Sequence, residues 1–138
     1  MRHFIIAFLA LLPAVFPISA AQPKSRWKEI GKTSTGNTVY VDPRSVKNVK
    51  GVITARIRVK FAPPVKTASG IWVTSQHVAM FDCAKSTFAA KESVYYSDES
   101  GTTVVQRNVN KLPGFGPALG GSMTKVALDY LCAAPAKR

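Results

Sequence analysis

Negative charge is scarce in this chain of 138 residues: seven Asp and Glu stand against nineteen Lys and Arg, and the formal net charge is +12. Such a field speeds encounters with anionic partners without choosing among them. Lipopolysaccharide, sulfated glycans, nucleic acid and acidic proteins all fit it. Histidine is scarcer still, since His3 lies in the N-terminal apolar segment and His77 is alone in the rest of the chain. A lone His cannot supply a three-ligand metal site. Glu29, Asp82, Glu92 and Asp129 show no spacing that nominates an acid or base partner for it. "PGFGP" has too few glycines, and no Lys-Ser or Lys-Thr pair follows it as a phosphate loop requires. The chain therefore reads as nonenzymatic, with no catalytic residue, metal or cofactor expected.

Cysteine is limited to Cys83 and Cys132, with neither a C-x-x-C spacing nor a neighbouring His to make a redox or metal pair. Long apolar runs are limited to "FIIAFLALLPAVF", which follows Arg2 and His3 and precedes the small residues "ISAA". At 13 residues this run falls short of the roughly 20 that cross a bilayer. Residues 1–21 have the form of a signal peptide, with cleavage after Ala20 or Ala21. No Cys lies near the cut to carry a lipid, so the product is expected to be exported, periplasmic or extracellular, and not lipid-anchored. Export takes the two cysteines into an oxidising compartment, where their even count predicts a Cys83–Cys132 disulfide. Closing a loop of about 50 residues stabilises a fold by about 4 kcal/mol in the chain-entropy description. Residues 22–138 are enough for one domain and one core, not two.

Within that domain, "RWKEIGKT", the turn "TSTGN" and "TVYVD" form an expected hairpin, with Val39 and Val41 on one side and Tyr40 on the other. Asp42 before Pro43 suits a short helical turn, "DPRSV". After a basic turn "KNVKG", the stretch "VITARIRVKF" alternates Ile53, Ala55, Ile57, Val59 and Phe61 with Thr54, Arg56, Arg58 and Lys60, the period of a half-buried strand. Pro63 and Pro64 are expected to end it. Two longer strands follow, over about 71–81 and 86–96, joined by "DCAK", and then "TTVVQRNV". "LPGFGPALGG" reads as a surface loop. Met123, Val126, Ala127, Tyr130 and Leu131 recur at helical spacing behind the N-cap Ser122. The expected class is α+β, an antiparallel sheet of about six strands with a C-terminal helix tied to it by the disulfide.

These landmarks occur in an order that resembles the surface-adhesin protein E family of bacterial envelope proteins. The matching residues are Trp27, Tyr40 with Asp42, Asp82 with Cys83, Tyr95 or Tyr96 with Gly101, and Cys132. The resemblance implies a curved antiparallel sheet with a disulfide-tethered helix, and a partner such as a host extracellular-matrix protein. The chain departs from the family's lipidated member in having no Cys at the processing site.

Arg56, Arg58 and Lys60, spaced about 7 Å apart along one strand face, are the candidate ligand-binding row. Lys47, Lys50 and Lys66 in flanking loops would extend it. Cationic strand faces also solubilise and discourage edge-to-edge pairing, so the two readings stand side by side. Trp27, Trp72, Tyr95 and Tyr96 are either stacking surfaces or core cover. Asp82 is expected to fix its own turn. The leading function is an exported envelope protein that binds an envelope or host macromolecule through its basic surface. The alternative is a periplasmic structural or inhibitory module associating with an anionic polymer. Neither calls for a specific nucleic acid, and both are compatible with peripheral contact at a membrane surface.

Overall fold

Alternation of apolar and polar residues lays out the sheet. A computed structural model describes residues 25–133, so the signal peptide expected over residues 1–21 lies outside the described residues. The strands are β1 (Lys28–Lys32), β2 (Thr38–Val41), β3 (Lys47–Val49), β4 (Val52–Thr67), β5 (Gly70–Asp82), β6 (Thr87–Tyr96), β7 (Val104–Val109) and β8 (Gly116–Pro117), followed by helix α1 (Met123–Ala133). Six of them run in the order β1-β2-β4-β5-β6-β7, while β3 pairs with β4 and β8 with β6. Every pairing is antiparallel. The expected antiparallel sheet with one C-terminal helix is thus present, with two short strands beyond the six.

Val39, Val41, Ile53, Ala55, Ile57, Ala79 and Phe81 face α1 and are buried. Burial of each large side chain here contributes about 1.5–3 kcal/mol. The helix returns Ala127, Leu128 and Leu131 to that core, with Thr124 on the same stripe and Met123, Val126 and Tyr130 at its margins. The buried stripe is therefore rotated slightly from the expected one and includes Leu128. Two contacts seat the helix on the sheet. Gly31, at a β1 bulge with φ +153°, leaves a side-chain-free surface on which a Cβ would come 3.0 Å from Val126 Cγ1. At the other end Cys132 is bonded to Cys83, with Cα atoms 5.5 Å apart. Ser122 Oγ accepts from Lys125 N at 3.2 Å and caps the helix as expected.

Three local expectations are corrected. β4 does not stop at Pro63; its pairing with β5 breaks after Lys60 and resumes at Val65↔Trp72. The prolines fall inside this irregularity, where no ladder donor is required of them. The "KNV" of the basic turn pairs as β3, which places Lys47 on a strand rather than in a loop. In the Gly- and Pro-rich loop, Gly116 and Pro117 pair with Phe88 and Thr87. A bridge this short tolerates proline because few ladder bonds are needed. Asp42, 1 % exposed, caps the 3-10 turn Pro43–Ser45 by accepting from Arg44 N at 3.1 Å, and it also holds Arg26.

Candidate functional site

The pleat sends consecutive side chains of β4 to opposite sides, so the sheet has two faces with different chemistry. On the outer face, away from α1, stand Arg56, Arg58 and Lys60. Lys47 joins them because it lies opposite Thr54 in the β3–β4 register, and directly opposed residues share a face. Lys50 is exposed in the turn between β3 and β4. Lys66 sits in the far end of β4, beyond the irregularity, opposite Ile71.

The three central cations are not equivalent. The Arg58 guanidinium lies 5.8 Å from the Trp27 ring centroid, and that of Arg26 lies 5.5 Å from the same ring. Flat, weakly hydrated guanidinium groups suit an aromatic face. Lys60 Nζ is 2.9 Å from Glu99 Oε1. The hydrogen bond that Lys60 donates to Glu99, then the carboxylate's charge, raises the Lys60 pKa above its ordinary value, and the same contact lowers that of Glu99. Glu99 is presented by a turn that Asp98 organises: its carboxylate accepts from the backbone N–H of Thr102 and Thr103 and from the hydroxyls of Ser100 and Thr102. Those bonds, led by the Ser100 and Thr102 hydroxyls, hold the Asp98 pKa well below the carboxylate range. Thr74 Oγ1 ties the turn to β5 by donating to Asp98 O at 2.9 Å. Trp27, Tyr40, Arg58, Lys60 and Glu99 surround an outer hollow of about 180 Å³.

Strand order adds a cation that linear reading of β4 misses. Tyr40, Arg58, Gln76, Val94 and Arg107 align across β2, β4, β5, β6 and β7. Arg107 binds Glu92 Oε1 through Nε at 2.8 Å and Nη2 at 2.7 Å. Arg56 and Lys47 are exposed, and neither forms an ion pair among the described residues.

The inner face holds a cleft of about 500 Å³ between the β1–β2 turn, the sheet and the loop entering α1. One wall is aromatic: the Trp72 and Tyr95 rings stack at 3.9 Å and 23°, and Phe61 lies tilted against Trp72 at 6.2 Å. Of the four aromatic candidates, these two come together, whereas Trp27 and Tyr96 face the other side. Ser34, Thr35, Asn37 and Ser122 also line the cleft, with Leu119 and Met123. Ser34 N donates to Gly121 O at 2.9 Å, closing the turn against the loop. Gly121, at φ +77°, has no room for more, since a Cβ there would meet Ser34 Oγ at 2.7 Å. Asn37 Oδ1 accepts from Ala62 N at 3.0 Å and fixes the turn to β4.

His77 lies beneath this wall, 6 % exposed. Its ring nitrogens contact Ser75 Oγ at 2.8 Å and Ser93 Oγ at 2.9 Å, and its edge meets Tyr95 at 5.8 Å. Burial lowers its pKa to about 4, so the ring is neutral at pH 7 with both nitrogens engaged. Burial likewise raises the pKa of Tyr95, keeping its hydroxyl protonated. His77 therefore supports the aromatic wall. The aromatic identities of the cleft were visible in sequence, but Ser34, Asn37 and Gly121 carried no signal beyond turn propensity. Asp82 accepts from Lys85 N at 3.2 Å and fixes its turn.

Among the described residues no group of three or more His, Cys, Asp or Glu is placed to hold a metal, and no helix is long and apolar enough to cross a membrane. No curated protein matches the chain in sequence. Its fold is similar to crystal form II of Haemophilus influenzae protein E, with a TM-score of 0.57 and 12% identity, covering 81% of this chain and 91% of that one. It is also similar to protein E from non-typeable Haemophilus influenzae, with a TM-score of 0.53 and 12% identity over 83% of this chain and 80% of that one. The surface-adhesin protein E family matches residues 27–133, all but the first two described residues, and the chain belongs to that family.

Proposed function

We propose that this chain is an exported, nonenzymatic envelope protein whose outer sheet face binds an anionic envelope or host macromolecule. The observation that carries the reading is the placement of Arg56, Arg58 and Lys47 on one face. The stretch acts less as a uniform row than as two exposed cations beside an aromatic-backed one. Lys60 contributes least, because Glu99 already occupies it. Family membership supports a binding role at the cell surface, and a net charge of +12 supports an anionic partner such as a sulfated glycan, lipopolysaccharide or an acidic segment of a matrix protein.

The test compares the chain with an Arg56→Gln, Arg58→Gln, Lys47→Gln variant for binding to heparin, lipopolysaccharide and immobilised matrix proteins over a range of salt. Affinity for the true partner class should fall, and its dependence on salt should become shallower. The partner that responds separates envelope from host. Unchanged affinity and salt dependence for all three would leave these residues as solubilising side chains.

A further inference from the structure

The inner cleft has a chemistry that the outer face lacks, and it is not needed for the reading above. We propose that it is a separate site for a neutral sugar ring, taken from an uncharged β-linked glycan.

None of the fifteen lining residues is Asp, Glu, Lys or Arg, and His77 is neutral, in a chain of net charge +12. An anionic ligand would find no counter-charge here. A nucleotide fits no better, since its base could stack but Arg56, Arg58 and Lys60, the cations suited to its phosphate, point from the opposite face of the sheet.

A β-linked hexose with equatorial hydroxyls presents a flat C–H surface and a ring of donors and acceptors at its edge. The cleft offers an apolar wall from Trp72, Tyr95 and Phe61 for that surface, with one face each of Trp72 and Tyr95 taken up by their mutual stacking, and Ser34, Thr35 and Asn37 for the edge. A purely apolar side chain or acyl chain would leave that polar edge unanswered. The indole N–H of Trp72 is buried with no acceptor among the described residues, which costs free energy in the unliganded protein. That N–H is closed to solvent, so a sugar would meet the wall through its ring atoms and not through this donor. At about 500 Å³ the cleft lies within the roughly 300–1,000 Å³ of small-molecule sites.

The Ser34–Gly121 and Asn37–Ala62 bonds hold the mouth from both sides, and His77 with Ser75 and Ser93 sets Tyr95 from beneath. Little ordering is left to oppose binding.

Chitotetraose and cellotetraose are the probes, added to the exported chain while amide and indole NMR shifts are followed, with Trp72 fluorescence read in a Trp27→Phe background. Shifts should cluster at Ser34, Trp72 and Gly121. Tyr95→Ala should weaken binding about tenfold or more, and Ser34→Ala, at an exposed position that leaves folding intact, about threefold. The outer-face triple Gln variant should bind the sugars unchanged, so this site and the basic face fail or stand separately. No shift with about 20 mM of either sugar would overturn the proposal. So would shifts confined to the outer face, or equal binding by Ser34→Ala and Tyr95→Ala. Displacement of the sugars' signals by a neutral Leu- and Pro-rich peptide that binds more tightly would also overturn it, and would reassign the cleft to peptide.

Discussion

The two faces of one sheet treat charge in opposite ways. Outside, Arg56, Lys60, Arg107 and Lys47 stand in solvent and Arg58 is half-buried, and three of the five are partly engaged by Trp27, Glu99 and Glu92. Inside, Val59, which falls between Arg58 and Lys60 in sequence, joins Ser75 and His77 of the neighbouring strand in lining a cleft with no charged side chain. The difference follows from desolvation. A cation on the open face keeps its water, whereas the same cation under α1 would lose it without a partner. His77 shows what a titratable group does on the inner side: it stays neutral, with its pKa pushed down to about 4.

The sharpest way to break this contrast is to release the helix that covers only one face. Replacing Cys83 and Cys132 by Ser should cost about 4 kcal/mol in denaturant unfolding, from a bridge with a sequence separation of 49. Hydrogen exchange should rise first in α1 and at the cleft mouth and only later in the β4–β5 pair. A uniform rise would show that the faces are not separately stabilised.

Acid probes the contrast next. The folded pKa of His77 lies below its unfolded value, so the unfolded chain binds the extra proton first; the stability is complete above pH 6.5 and is lost as pH falls toward about 4. The loss attributable to this ring is about 3 kcal/mol at the low end of that window. His77→Gln should flatten the unfolding free energy between pH 6.5 and 4, while the outer-face Gln variant should retain the slope. Asp98 and Glu99, whose pKa values are lowered, act at lower pH, and Lys60 acts on the alkaline side. An unaltered slope in His77→Gln would remove the distinction.

The smallest effect belongs to the exposed Lys60–Glu99 pair. A double-mutant cycle with Lys60→Gln and Glu99→Gln should give a coupling below about 1 kcal/mol. Lys60→Gln should also reduce polyanion binding less than Arg56→Gln does. A larger coupling would mean that the outer face carries structural weight.

Much of this was readable in advance where the interactions are local or strictly periodic. "VITARIRVKF" announced its buried and wet sides because a pleated strand alternates with period two. Asp42-Pro43 announced a capped turn, and Ser122 a helix start. Two overlapping 3.6-residue stripes fit the apolar residues of the helix, and its packed face takes in both, with Leu128 buried and Met123, Val126 and Tyr130 at the margins. Pro63 misled because a proline excludes a ladder bond only where one is required, and the register break removes that requirement.

By itself the sequence determined the sign of the charge, the pleat of β4, and a disulfide pair left no alternative partner. Those properties depend on residue type, short spacing or counting. Tertiary structure alone decided that Arg58 would lie over Trp27, that Lys60 would meet Glu99, and that Trp72, Tyr95, Ser34 and Gly121 would enclose one cleft. These groups come from strands and loops far apart in the chain. Their meeting depends on strand order and register, which no local pattern encodes.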